Sequence, residues 1–416
     1  MKNNIPVILL CGTENTLSIV RSMGKRDISV SVVATPDCQA FNSRYIDKSF
    51  IVPEGIATQD YFQETLLGEN SALLKGSVLL ACGDHGIEFI VNNHQALSKK
   101  YLLDIQKPQL QAAMLDKQAT LRLAKEAGIG FPNYWNINSL DDIEVVADKI
   151  IYPAIIKPIH SHLFAKQFGV KLFQINNADE LRQKAALVTK KNLEFMISEL
   201  IPGPDTLLSS YYTHIDNDGH ALFKFTKKVI RRMPPNFGGG CYHVTEWLPE
   251  TAEKGDQFFR SIGFTGMANI EFKKDPRDGE LKIIECNARY TAAQELVTRS
   301  GLDISYLVYQ FLINGGNTDA KPATQTKFKK NLHYWYARED LQSFMISFRK
   351  GDISLFQWLK SLAHFPLVFP NWNILDPKPS LVSLAKTFRN RLKRKQPKQQ
   401  NQPKQPNQQP KHNQHT

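Results

Sequence analysis

Apolar runs and the polar breaks between them give the first half of the chain a repeated strand and helix layout. Residues 5–11, IPVILLC, are continuously apolar and stop at Gly12-Thr13-Glu14-Asn15, after which Leu17, Ile19, Val20 and Met23 recur at helical spacing up to Gly24. The pattern predicts strand, turn and helix at the start of a parallel α/β unit. Residues 29–33 and 78–81 repeat the layout, the second running into Cys82-Gly83-Asp84. Residues 1–108 are therefore expected to form an open parallel sheet domain. A helix is expected from Leu115-Asp116-Lys117-Gln118 to Gly128, and buried strands over 152–157 and 195–201. Residues 222–240 alternate apolar with basic positions and end in Pro-Pro and three glycines.

The most informative pattern lies at 264–301. Residues 268–273 form a short apolar run carrying one acid, 275–280 hold Pro and Asp-Gly, and 281–286 form a second apolar run, which together predict a β-hairpin. A hairpin centred on Asp278 sets Glu271 directly opposite Glu285, about 5 Å apart at Cβ. Asn287 follows Glu285 by two residues and shares its face, and Arg289 extends that face with a guanidinium fork suited to phosphate or carboxylate. Two opposed carboxylates repel unless a cation lies between them. Three hard oxygen ligands suit Mg²⁺ better than a transition metal, whereas the same acids on an exposed hairpin are merely solvated.

Glu271 followed by Glu285-Cys286-Asn287-Ala288-Arg289 resembles the metal-binding end of the ATP-grasp superfamily, an acid in one strand followed by E-x-N-x-R in the next. The resemblance implies an α/β protein of α+β ATP-grasp type: residues 109–318 as a two-lobed ATP-grasp domain, with a small lobe over about 120–200 and a large lobe over about 201–318. It implies ATP and Mg²⁺ as cofactors, with Mn²⁺ as a substitute, and an ADP-forming carbon–nitrogen ligase that activates a carboxylate as an acyl phosphate for capture by an amine. It also gives roles to residues. Lys117 and Lys157 become phosphate ligands, Glu271, Glu285 and Asn287 the metal site, and Arg289 the catalytic cation. The segment Ser300-Gly301-Leu302-Asp303-Ile304 is similar to the helix-start motif that follows in the family, and Asp303 serves there as a structural cap.

The remaining motifs fall in the family's order. In residues 195–201, FMISELI, the resemblance places the hinge between lobes, with backbone groups of Glu199, Leu200 and Ile201 toward adenine and Asp205 toward the ribose. After Lys157-Pro158 the family usually has a glycine-rich phosphate loop. This chain instead has His160-Ser161-His162-Leu163-Phe164-Ala165-Lys166. A loop poor in glycine cannot bring its backbone as close to phosphates, so Ser161 is the candidate to replace it, and His160 and His162 read as solvated. Lys228, Arg231 and Arg232 are candidates to neutralise ATP or acyl-phosphate oxygens. The wording K-x-x-R-R-x-P-P-x-F-G resembles the bacterial carboxylate–amine ligase branch related to D-aspartate ligase and to members linked with cell-surface polysaccharide. Nicotinamide or flavin binding is excluded because no G-x-G-x-x-G follows the first strand.

Composition changes the picture at the C-terminus. Of the net charge of +12, eight cations lie beyond Thr387 with no acid, so the rest carries +4. Residues 389–416 are expected to be a disordered basic tail of Gln, Asn, Pro and Lys. It is either a solubilising extension or a contact to an anionic surface, and no specific nucleic-acid partner is expected. Residues 319–388 are expected to be a helical and aromatic accessory region, in which Trp358, Trp372 and Phe388 beside Arg389 present a second candidate membrane face suited to a lipid-linked substrate. Five scattered cysteines, no signal peptide and no long apolar segment point to a cytoplasmic protein, with peripheral attachment to the inner face of the membrane as the alternative. Small carboxylate and amine substrates are the implied partners, and a homodimer is frequent among the proteins it resembles. An ATP-binding protein without ligase activity, or a binder of anionic surfaces acting through the tail, are the alternative functions.

Overall fold

The computed structural model describes residues 4–159, 161–316 and 324–395. Strands β1 (Val7–Leu10), β2 (Val30–Ala34), β3 (Lys48–Ile51), β4 (Val78–Ala81) and β5 (Leu102–Leu103) form a parallel sheet of order β3-β2-β1-β4-β5. β1 and β2 are buried along their whole length, as a parallel strand covered by helices on both faces must be. The edge strand β3 went unforeseen because its sequence, KSFI, is neither an apolar run nor buried.

A small antiparallel sheet follows, of order β6-β9-β7-β8, from β6 (Tyr134–Ile137), β7 (Ala154–Pro158), β8 (Phe173–Ile175) and β9 (Phe195–Glu199). The large sheet holds β10 (Leu208–Ile215), β11 (Ala221–Met233), β12 (Gly239–Thr245), β13 (Gly266–Lys274), β14 (Leu281–Asn287), β15 (His333–Trp335) and β16 (Leu367–Val368), in the order β14-β13-β10-β11-β12-β15-β16. The region beyond residue 319 is thus more than a set of helices. Its two strands extend the large sheet past β12, and the helix Ala337–Lys350 packs on β11 and β12.

The β13–β14 hairpin pairs Glu271 with Glu285, by a route that simple counting does not show. From the turn outward, Lys274 pairs with Leu281, Lys273 with Lys282 and Phe272 with Ile283. That register centres the turn between Arg277 and Asp278. The ladder then slips by one residue at Ile284, so that Glu271 faces Glu285 and Asn269 faces Asn287. A β-bulge of this kind re-aims side chains and leaves a backbone group off the ladder. Here the Ile284 carbonyl accepts a hydrogen bond from Lys157 Nζ at 3.1 Å.

Three hydrophobic cores organise these layers. Two are shared between the N-terminal sheet and the large lobe: Leu10 and Phe89 join one core with Tyr211 and Ile270, while Leu9 and Val20 join another with Tyr212, Phe225 and Leu296. The small lobe keeps its own core of Ile156, Phe164, Leu181 and Ile197.

A buried ion pair ties the C-terminal segment to the first helix. Arg21 Nε and Asp376 Oδ2 lie 2.9 Å apart, both almost fully buried, and the Asp376 carboxylate also accepts from Ser43 Oγ and the Arg44 amide. Removing one partner of such a pair strands the other charge away from water. Asp376→Ala is expected to lower stability by about 3–5 kcal/mol, measured by urea denaturation against wild type.

Candidate functional site

The large sheet sets a row of polar and charged side chains directly abreast. Lys227 pairs with Ser210, Ser210 with Glu271, and Glu271 with Glu285, across four adjacent strands. Two residues along, Phe225, Tyr212, Asn269 and Asn287 form a parallel row on the same face. Lys227 Nζ donates to Ser210 Oγ at 3.0 Å and to His243 Nδ1 at 3.3 Å, since an ammonium has nothing to accept with. Asn287 Nδ2 lies 3.4 Å from Asn269 Oδ1, whose own amide donates to the Tyr211 carbonyl.

The charges in this row are strained toward neutrality. Burial lifts the Glu271 carboxyl above its ordinary value, Lys227 pulls it back, and the facing Glu285 lifts it further. Burial also pushes the Lys227 ammonium down, against the pull of Glu271. His243 is driven well below the ordinary imidazole value by burial and then by Lys227. It is therefore a neutral acceptor. Gly240 passes so close to this ring that a Cβ there would sit 2.1 Å from His243 Cε1, which explains a glycine at that position.

The small lobe brings two lysines against the far edge of the row. In β7, Ala154, Ile156 and Pro158 are buried, so the alternation turns Lys157 to the opposite face, toward β14. Lys117 opens the helix Lys117–Glu126, capped by the Asp116 carboxylate, and its Nζ donates to the carbonyls of Pro158 and Ile159. Burial pushes Lys157 down to about 8, with Glu285 raising it and Lys117 lowering it. Burial lowers Lys117 as well, against Glu285 and Asp84. Lys117, Lys157 and Glu285 therefore share one electrostatic neighbourhood.

Arg289 meets the N-terminal domain. Its Nε donates to Asp84 Oδ1, at the start of the helix Asp84–Asn92 that follows β4. The open sheet thus contributes a carboxylate to the same neighbourhood.

Several other expected residues are committed elsewhere. Glu199 is buried, paired with Arg277 at 2.6 Å, and accepts from the amide and side chain of Asn133. Its backbone amide donates to the Asn133 carbonyl, while the Ile201 carbonyl accepts from Lys273 Nζ. Leu200 is half-buried between them. Asp205 is nearly buried and accepts from both the backbone and the guanidinium of Arg232, so a ribose contact there competes with an existing ion pair. Arg231 is corrected: its fork is held by the fully buried Asp340, and its Nη1 by Ser361, so its hydrogen-bonding groups are already committed. Lys228 is corrected by strand parity. It pairs with Ser209 and so faces away from Glu271, and Lys227 takes its place. Ser161 opens the helix Ser161–Phe168, but its side chain, that of His162 and all of His160 lie outside the described residues.

Sequence reasoning missed Lys227, His243, Asn269 and Asp84. The signal for Lys227 existed in its period-2 relation to Phe225, but only the pairing of β11 with β10 reveals which parity faces Glu271. Opposed Glu271 and Glu285, with Asn287 beside them, give a hard oxygen donor set, in which burial and the facing Glu285 lift the Glu271 carboxyl although Lys227 pulls it back. That chemistry fits Mg²⁺.

No protein-family model matches the chain. The chain is 25% identical to the D-aspartate ligase of Enterococcus faecium (strain Aus0004) over 336 residues, 73% of this chain and 79% of that protein. It is 35% identical to the vancomycin/teicoplanin A-type resistance protein VanA of Enterococcus faecium over 223 residues, 49% of this chain and 62% of that protein. Among solved structures, the biotin carboxylase domain of the Hydrogenobacter thermophilus 2-oxoglutarate carboxylase, in complex with MgADP, ADP and bicarbonate, superposes with a TM-score of 0.62. Identity there is 14%, over 80% of this chain and 74% of that one, a likeness of fold.

A lysine that burial pushes down to about 8 attracts phosphate only while protonated. With Lys157 as a phosphate ligand, as the resemblance implies, nucleotide affinity would fall as pH rises through about 8, because deprotonation of Lys157 removes its charge. Lys157→Arg, cationic at every working pH, is expected to flatten that fall, as read by calorimetric titration with ATP across pH 6 to 10.

Proposed function

We propose that the chain is an ADP-forming ligase of the ATP-grasp superfamily that joins a small carboxylate to an amine at the expense of ATP, a reading its likeness to D-aspartate ligase and VanA supports. The observation that carries the proposal is the row Lys227, Ser210, Glu271 and Glu285, closed on its far side by Lys157 and Lys117. Cations surround an acidic pair, as transfer of a phosphoryl group between oxygen atoms requires.

In this reading Lys117 and Lys157 bind phosphate oxygens of ATP. Glu271, Glu285 and Asn287 would hold Mg²⁺, which would supply positive charge against the phosphate oxygens. Lys227, oriented by Ser210 and His243, neutralises charge from the opposite side. A carboxylate oxygen of the substrate attacks the γ-phosphorus, the bond to the bridging oxygen breaks, and ADP leaves. The amine then attacks the acyl carbon and loses a proton as inorganic phosphate departs. Arg289, steadied by Asp84, is placed to stabilise the oxyanion that forms in this second step. The backbone of residues 199–201 lies at the connection between small and large lobes, where it would meet adenine.

We assign the substrates to cell-envelope chemistry, and D-aspartate is the first carboxylate to offer, since the alignment with D-aspartate ligase spans 79% of that protein. Pooled amino acids, with and without cell-wall precursors, supply the rest. Phosphate release from Mg·ATP is expected only when carboxylate and amine are both present. Glu285→Ala is expected to reduce it by more than the ~10–100-fold typical of losing an outer-shell partner of a metal. ATP bound without phosphate release from any pool would instead identify a nucleotide-binding protein.

A further inference from the structure

The helices Ala337–Lys350 and Leu355–Leu362 form a unit held from within and bare without. Its anchor is Asp340, fully buried, which accepts from Arg231, from Trp335 Nε1 at 3.0 Å and from Trp358 Nε1 at 2.9 Å. Trp358 also stacks on Phe344, with ring centres 4.6 Å apart. It is therefore an internal brace and no membrane anchor, and the side chain of Phe388 lies outside the described residues.

The outer face is apolar to a degree that a solvated surface does not explain. No residue of the helix Leu355–Leu362 is buried, although its sequence is LFQWLKSL. Phe356 is 75% exposed and Phe365 84%. On the preceding helix, Leu341, Met345 and Phe348 recur at steps of four and three and are all exposed. Exposed apolar side chains in this number over two successive helices mark an interaction site.

Charge selects the occupant. Arg338, Leu341, Met345 and Arg349 follow one another at steps of three or four, and Lys360 follows Phe356 by four, so cations share the apolar stripes. The next helix, Lys378–Lys395, contains seven Lys and Arg and no acid. Two copies of this face brought together would oppose like charges. An anionic bilayer surface accepts the apolar side chains and the cations at once. Among the described residues no helix is long and apolar enough to cross a membrane. We propose that the outer face of residues 337–365 docks flat on an anionic lipid bilayer, with Phe356, Leu359 and Phe365 entering the interface and Arg349 and Lys360 meeting the headgroups.

The test is flotation of the full chain with vesicles of phosphatidylcholine, with and without phosphatidylglycerol. Binding is expected only with phosphatidylglycerol, and is expected to weaken in high salt. The triple variant Phe356→Ser, Leu359→Ser, Phe365→Ser is expected to bind about tenfold or more weakly, given the apolar surface it removes. Arg349→Glu with Lys360→Glu, both at exposed positions, gives a second reading should the triple variant fail to fold. A chain ending at residue 395 is expected to keep its binding. Undiminished binding by both variants would overturn the proposal and assign attachment to the tail. Absence of vesicle binding, with self-association that the triple variant abolishes, would overturn it in favour of a second copy.

Discussion

Two carboxylates forced to face one another across a β-ladder are the constraint on which this molecule turns. Opposed acids cost stability in an isolated hairpin. The surrounding structure offsets that cost by bringing Lys227 along the same row, Lys157 and Lys117 from the small lobe, and Arg289 two residues past Asn287. Each cation comes from a different element, so the acidic pair is compensated only when all the layers are assembled. The ladder slip at Ile284 sharpens this, because the residue that re-aims Glu285 also presents the carbonyl that takes Lys157.

Much of this was legible beforehand where local pattern and chemistry coincide. Counting around Asp278 sets Glu271 opposite Glu285, and the structure reaches that pairing through a turn centred half a residue earlier and the slip at Ile284; the place of Lys157 is legible in a buried run that ends before proline. Arg231 and Lys228 were not legible, because a basic strand of alternating character offers several cations and only the neighbouring strand decides which face each takes. Arg231 is claimed by Asp340, more than a hundred residues onward. Asp84 was hidden for the same reason: its partner, Arg289, lies in another layer. The C-terminal strands β15 and β16 are too short to announce themselves, and their pairing with β12 and with each other is set by tertiary context.

Glu199 closes β9, and its side chain is locked to Arg277 in the turn of the β13–β14 hairpin. Lys273, on the hairpin's first strand, donates to the carbonyls of Ile201 and Gly203. The connector between lobes is thus fastened to the very hairpin that carries the acidic pair. A shift of one is transmitted to the other through charged hydrogen bonds rather than through loose packing.

The small lobe's private core has a thermal consequence. The lobe's core of Ile156, Phe164, Leu181 and Ile197 is its own, but Met196 and the helix Lys117–Glu126 join the core shared with the other layers, so its outer part can loosen locally at a free energy below that of global unfolding. A molecule loosened around β7 lacks Lys157 in its place while Lys117 stays with the shared core, so the proposed nucleotide affinity would scale with the closed, folded fraction of that lobe. Warming would erode affinity before the remaining layers melt, and a substitution as remote as Leu181, wholly inside that core, would present in an assay as a poor nucleotide binder with an intact fold.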